Sequence, residues 1–436
     1  MEVSRAPRLH PDEIRPERLT APILNTARPS HRVHPLSLVE GDVLNRTLAR
    51  LGPFGRRRRF HLIYRSLLLM AVTWLVTAIL AASTGYTGTE LSGDNFFADF
   101  AAYAQFVVGL PLFVLAEAIV DRATRDAGID FSDTGVIFEH DLPRLSALHR
   151  RIDRLQRSGI SDAICLGLGF VLSGFIIFTE LRHPGLKPTW HSGPCGRLRC
   201  PTAPGWWEFA VALPLLNYWW LRIAWKSLLW TEYLRAVSRL RLDLVATHPD
   251  RVGGIGFISK VQGHFAWVLF AYGISNVAAT VGYEIAIEGV DMWIPPVWGP
   301  VLGFVIVGPS LFLAPLLMFT RQLRRTKRRA LRLYRERVME QVRLYEAEVL
   351  PRSAAARTDM ESLVDVQAMN QFSQLFERVE SMRVVPFDFR SMGQLFASTL
   401  GTVASILPAQ HLGASLSGTL GYIVKIVDFF TKLGHH

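Results

Sequence analysis

Six long apolar stretches, approximately Leu62–Ala82, Phe97–Val120, Ile164–Leu181, Trp207–Trp230, Phe265–Ile287 and Val297–Phe319, divide the 436 residues of this chain. About 20 predominantly apolar residues cover a hydrocarbon core of roughly 30 Å, and a helix can do so because it satisfies its backbone polar groups internally. One such stretch could be a buried soluble helix. Six of them, in a chain that is 50% hydrophobic, exceed what one soluble core can hide. The expected fold is all-α: a polytopic membrane protein whose six transmembrane helices form three hairpins, with amphipathic cytoplasmic helices.

Lys and Arg set the orientation, because cytoplasmic segments carry their excess. Arg56 to Arg59 stand before the first span, Arg122 to Arg157 include seven arginines between the second and third, and a basic run from Arg321 to Arg337 follows the sixth. The segments Ser83–Phe96 and Glu288–Pro296 contain acidic residues but no Lys or Arg. Both termini are therefore expected in the cytoplasm. The net charge of +11 falls on that face, where anionic lipid attracts it, so membrane lipid rather than nucleic acid is the expected partner. A second copy of the chain and a cytoplasmic protein are further expected partners.

Three domains follow. Residues 1–55 form a proline-punctuated cytoplasmic arm with an amphipathic pattern from Leu36 to Leu51 and no apolar region of the kind a cleavable signal needs. Residues 56–320 hold the spans. Residues 321–436 form a helical tail: a basic helix to about Val349, a helical stretch from Met360 to Val379, then a charge-free region, Ser391 to Val424, whose two amphipathic patterns predict a helical hairpin lying on the membrane or packed under the bundle.

Pro111, Pro214 and Pro309 occupy similar apolar surroundings in the second helix of each successive pair. Their regular placement suggests a repeated hairpin with three kinked inner helices. Ionisable groups within spans are functional candidates, since each costs about 2.5–3.5 kcal/mol near a helix centre. With the prolines as depth markers and a rise of about 1.5 Å per residue, Glu117 and Arg222 differ in depth by only about 3 Å. They are expected to pair, either locking two helices together or serving conduction; Arg222 could instead snorkel beside Lys226. Gln105, Asn217, Asn276 and His264 add polar groups to the interior.

Cys195 and Cys200 lie in a segment expected outside, where a small disulfide can close; free thiols, or a metal site with His183 and His191, are the other possibilities. No standard metal spacing, nucleophile and base pair or nucleotide-binding loop is intact, so no catalytic residue and no cofactor is expected. The most motif-like stretch runs from Thr247 to Phe257. Its residues His248, Asp250, Arg251, Gly253 and Gly254 resemble, together with Arg383–Phe387, a pattern found in uncharacterised bacterial polytopic membrane proteins. That resemblance implies a bacterial inner-membrane location and a cytoplasmic loop, and brings no activity with it. The expected function is movement of an ion or small solute through the kinked interior; the alternative is a scaffold or sensor acting through loop and tail.

Overall fold

The structure, a computed structural model, describes residues 58–86, 95–182, 189–195, 198–286, 295–353, 370–371 and 373–406. The expected N-terminal arm and the second amphipathic pattern of the tail, Leu416 to Phe430, lie outside the described residues. Helices α1 (Leu62–Ser83) and α2 (Phe100–Asp133) are followed by the amphipathic α3 (Leu142–Gln156) and by α4 (Gly159–Arg182). A hairpin of β1 (Ser192–Cys195) and β2 (Leu198–Pro201) leads into α5, which enters at Ala203–Trp207 and continues as Leu213–Val237. Helices α6 (Phe257–Glu284) and α7 (Trp298–Glu340) come next, and α8 (Phe389–Ile406) belongs to the tail.

Five of these helices, α1, α2, α4, α6 and α7, are long and apolar enough to cross a membrane, and the chain is a multi-pass membrane protein. The expected fourth span is a long helix too, but α5 does not reach that apolarity. Asn217, Arg222, Lys226 and its many Trp and Tyr residues lower its hydropathy, and most of these polar groups are buried against neighbouring helices rather than turned to lipid. The β-hairpin also qualifies the all-α expectation.

Burial separates inner from outer helices. Of the most apolar window of α6, 72% is buried, against 17% for α4. The exposed side of α4 carries Ile164, Val171 and Phe175, which water would penalise and lipid accepts.

Local caps fix the starts of the helices. The Asp99 carboxylate accepts from the Ala101 N–H at 2.8 Å ahead of α2, and Thr202 Oγ1 accepts from the Gly205 N–H at 3.1 Å ahead of α5.

Among the described residues four helices widen into π turns, at Ala71–Leu75, Tyr103–Gly109, Glu208–Ala212 and Gly273–Ala278. Two of them immediately precede Pro111 and Pro214, whose missing N–H groups a wider turn accommodates. Pro309 differs: it lies in the α-helical stretch Pro295–Leu313 together with Pro300. The turns also pack on one another. Gly109 meets Ser275 so closely that a Cβ there would lie 2.6 Å from the serine Cβ, and the Trp207 indole donates to Val72 O at 2.9 Å, a carbonyl within the α1 turn.

Of the tail, α8 runs lengthwise along α6, a course in keeping with the third arrangement the sequence leaves open, a re-entrant hairpin: Asp388 N donates to Ser259 Oγ at 2.9 Å, Thr402 packs on Gly273, and Ile406 joins Ala278, Val281 and Val301 in one apolar cluster. Its small hydroxyl residues permit this. Ser398, Thr402 and Ser405 donate to carbonyls of their own helix, so these hydroxyls are satisfied within the close contact.

Candidate functional site

The deepest concentration of charge surrounds Glu117 on α2. Arg65 Nη2 of α1 lies 3.0 Å from Glu117 Oε2, Arg222 Nη2 of α5 lies 3.1 Å from Oε1, and Lys226 Nζ, one turn beyond Arg222, bonds the same Oε1. All four side chains are almost fully buried. Trp219 presents its ring to both guanidiniums, 5.0 Å from Arg65 Cζ and 5.9 Å from that of Arg222, and the Tyr218 hydroxyl accepts from Arg222 at 3.3 Å. At the edge, Asp162 Oδ1 of α4 is 4.0 Å from Arg222 Nε. Two helices, α1 and α5, thus bring three cations to one carboxylate on a third, α2. In a low-dielectric interior charged groups are tolerated where opposite charges touch them, and here three cations share one buried carboxylate.

The sequence pairs Glu117 with Arg222, and the structure brings these two together. It adds Arg65 and Lys226. Lys226 has a signal in the sequence, because it lies four residues after Arg222 and shares its helix face. Arg65 stands three residues inside the first span, where it looks like one more flanking cation.

The other polar candidates do not join this cluster. Asn217 Nδ2 donates to Ser173 Oγ of α4 at 3.0 Å and its Oδ1 accepts from the Trp220 indole, which makes it a link between two helices. Asn276 bonds Ser275 Oγ and Tyr272 O within its own π turn, and Gln105 lies in the π turn of α2. His264 is a correction: it is exposed, bonding Lys260 O of its own helix at 2.7 Å, because the polar side of α6's first turns faces outward.

A second cluster lies beside the start of α2. His191, stacked on Trp190 with ring centroids 3.6 Å apart, bonds Glu208 through Nδ1 and lies 3.6 Å from Asp99 Oδ2 through Nε2; the Trp190 indole donates to the same Asp99 oxygen at 2.9 Å. Burial alone would lower the His191 pKa, but the Glu208 charge and the bonds to Asp99 and Glu208 outweigh it and hold the imidazole well above its ordinary value. The hairpin positions this group. Cys195 and Cys200 are joined by a disulfide across β1 and β2, with Cα atoms 5.5 Å apart, and Arg199 reaches back to Ser192, whose hydroxyl donates to Glu180 at 2.8 Å. Among the described residues no group of three or more His, Cys, Asp or Glu could hold a metal ion.

The loop between α5 and α6 is a turn built around one carboxylate. Asp250 accepts from the N–H groups of Val252, Gly254 and Gly256 at 2.8–3.1 Å, and His248 Nδ1 is 2.8 Å away. Burial pushes the Asp250 pKa up; these hydrogen bonds prevail and hold it below the usual carboxylate range. Gly253 and Gly254 have φ of +74° and +96°, conformations a side chain disfavours, and Arg251 adopts φ +58°. Two segments far apart in the sequence touch here: Arg383 N donates to Arg251 O at 2.7 Å, and Arg383 Nη2 to Asp250 O at 3.3 Å. Lys327 of α7 completes the clasp by donating to Glu380 O and Met382 O, each at 2.7 Å.

No known protein family, curated protein or solved structure matches the chain.

Proposed function

We propose that this protein moves a small anion across a membrane, binding it at the cations around Glu117. The observation that carries the proposal is the convergence of Arg65, Arg222 and Lys226 on a single buried carboxylate. Cations buried in a bundle are expensive, and an apolar core of equal volume would hold three helices together at less cost. Glu117 then acts as a tethered stand-in for the cargo: when its carboxylate is displaced or protonated, the same donors are free to take a halide, nitrate or small carboxylate. The π turns beside Pro111 and Pro214 supply adjustable helix segments next to that site. In this reading α5 is a sixth crossing, shielded from lipid by its neighbours, both ends of the six-helix unit face the cytoplasm, and the membrane is a bacterial inner membrane.

A scaffold or sensor is the second reading, favoured by the clasp between the Asp250 turn and Arg383, which ties the tail to the bundle as a partner-responsive segment would be tied. In that case a second copy of the chain or a cytoplasmic protein is the partner, and the Glu117 cluster only locks the helices.

Anion flux into vesicles containing the purified full-length protein separates the two. Transport predicts saturable uptake of chloride, nitrate or acetate above that of protein-free vesicles, and a drop of at least tenfold in Lys226→Met that remains folded by circular dichroism. Uptake equal to protein-free vesicles for all three anions overturns the proposal and leaves the scaffold.

A further inference from the structure

On the face of α3 away from the bundle, Arg150 and Arg154 are one turn apart and Arg157 follows three residues later, so the three share a side of the helix. With Asp153, Leu155 and Ser158 they line an open pocket of about 700 Å³. All three arginines are exposed, and none has a carboxylate partner among the described residues. Two features give the pocket a direction. It ends where the spanning helix α4 begins, at Gly159, and the apolar side chains that follow at once, Ile160 and Ile164, are 71% and 56% exposed. The pocket therefore stands at the depth of lipid headgroups, with an acyl-compatible strip running from it into the membrane. Inside the pocket wall, Asp153 Oδ1 is buried and has no hydrogen-bond partner. A buried acceptor of this kind calls for a donor.

We propose that this pocket binds an anionic phospholipid whose headgroup carries free hydroxyls, of the phosphatidylglycerol type. The arginines hold the phosphate by charge-assisted hydrogen bonds, a headgroup hydroxyl donates to the Asp153 carboxylate, and the acyl chains lie along Ile160 and Ile164 of α4. Each part of the site selects something different. The three cations prefer an anionic lipid to a zwitterionic one, while Asp153, which repels bare phosphate, prefers a hydroxylated headgroup to phosphatidate. The site is independent of the transport reading, since no residue of the Glu117 cluster takes part.

The test uses full-length protein reconstituted in phosphatidylcholine nanodiscs containing equal mole fractions of phosphatidylglycerol and phosphatidate, with the lipids retained after extraction counted by native mass spectrometry. Phosphatidylglycerol is expected to be enriched at least fivefold over phosphatidylcholine and to exceed phosphatidate. Arg154→Gln with Arg157→Gln should bring both anionic lipids down to the phosphatidylcholine level; these side chains are exposed, so the fold should persist. Asp153→Asn should keep the anionic preference and abolish the advantage over phosphatidate. Equal retention of all three lipids by the unaltered protein, or undiminished phosphatidylglycerol in the double arginine variant, overturns the site. Equal retention of phosphatidylglycerol and phosphatidate by the unaltered protein overturns the role of Asp153.

Discussion

Glu117 sits among three cations, whereas His191, beside the start of α2, sits between carboxylates. From Asp99 to Glu117 the helix advances about 27 Å at about 1.5 Å per residue, close to the thickness of a hydrocarbon core. The middle of α2 thus carries a carboxylate held by cations, and its start a histidine held by carboxylates. The two also differ in what surrounds them. The described side chains that ion-pair with Glu117 come from the helices α1 and α5, while His191 stands beside a disulfide-closed hairpin at the starts of α2 and α5. The Glu117 cluster joins three long helices, whereas the His191 cluster closes the start of α2.

The largest expected effect is therefore at Glu117. Replacing it by Gln leaves Arg65, Arg222 and Lys226 buried around a neutral amide, and breaking a buried ion pair by removing one partner typically costs about 3–5 kcal/mol. Thermal unfolding in detergent should show a large drop in midpoint, with reduced yield. Combining Glu117→Gln with Lys226→Met removes one stranded cation and should restore part of the loss. If the double variant loses as much as both single changes added together, the two residues do not interact and the assembling role of the cluster fails.

The His191 cluster should respond to pH instead. Its folded-state pKa lies above the ordinary 6.5, so the stability contributed by the imidazolium is complete below about pH 6.5 and is lost as pH rises through the raised folded value. Asp99 and Glu208 face the ring directly, and Glu180 adds to the field. The unfolding midpoint of the unaltered protein is expected to fall on alkalinisation, and His191→Gln should flatten that slope while lowering the midpoint at acid pH. An unchanged slope in the variant would place the pH dependence elsewhere and remove the contrast between the two clusters.

Much of the architecture was legible because hydropathy reports directly on the solvent a helix meets. What stayed hidden are features defined by a partner. Arg65 is indistinguishable from the arginines that flank spans until α1 is laid against α2. The inner position of α5 is what makes its Arg222 and Lys226 tolerable, and no window of its own sequence carries that information. Helix α8 looks like a polar surface segment because its Ser and Thr content fits a membrane interior only when the Gly residues of α6 lie opposite. The Asp250 loop and the Arg383 segment are far apart in the chain; that they form one clasp follows from the course of α7 and α8, which the local sequence does not encode. The pairing of Glu117 with Arg222, by contrast, was readable because prolines gave both helices a common depth scale.

The smallest expected effect belongs to Asn217, and it sharpens the division between charged centres and neutral links. Its amide bridges Ser173 Oγ on α4 and accepts from Trp220 on its own helix, contacts of uncharged groups between two packed helices. Hydrogen bonds of this kind in membrane proteins average about 0.6 kcal/mol, because the separated helices also find partners. Asn217→Ala should shift the unfolding midpoint only slightly and leave anion flux within about twofold of the unaltered protein, a change worth roughly 0.4 kcal/mol. The Trp220 indole left without its acceptor can turn toward lipid or water at the rim, since it is only part-buried. A stable Asn217→Ala protein whose flux falls tenfold would move this residue from the packing between α4 and α5 into the anion path, and that path would then run along the α4 side of Trp219 rather than through the centre of the π turns.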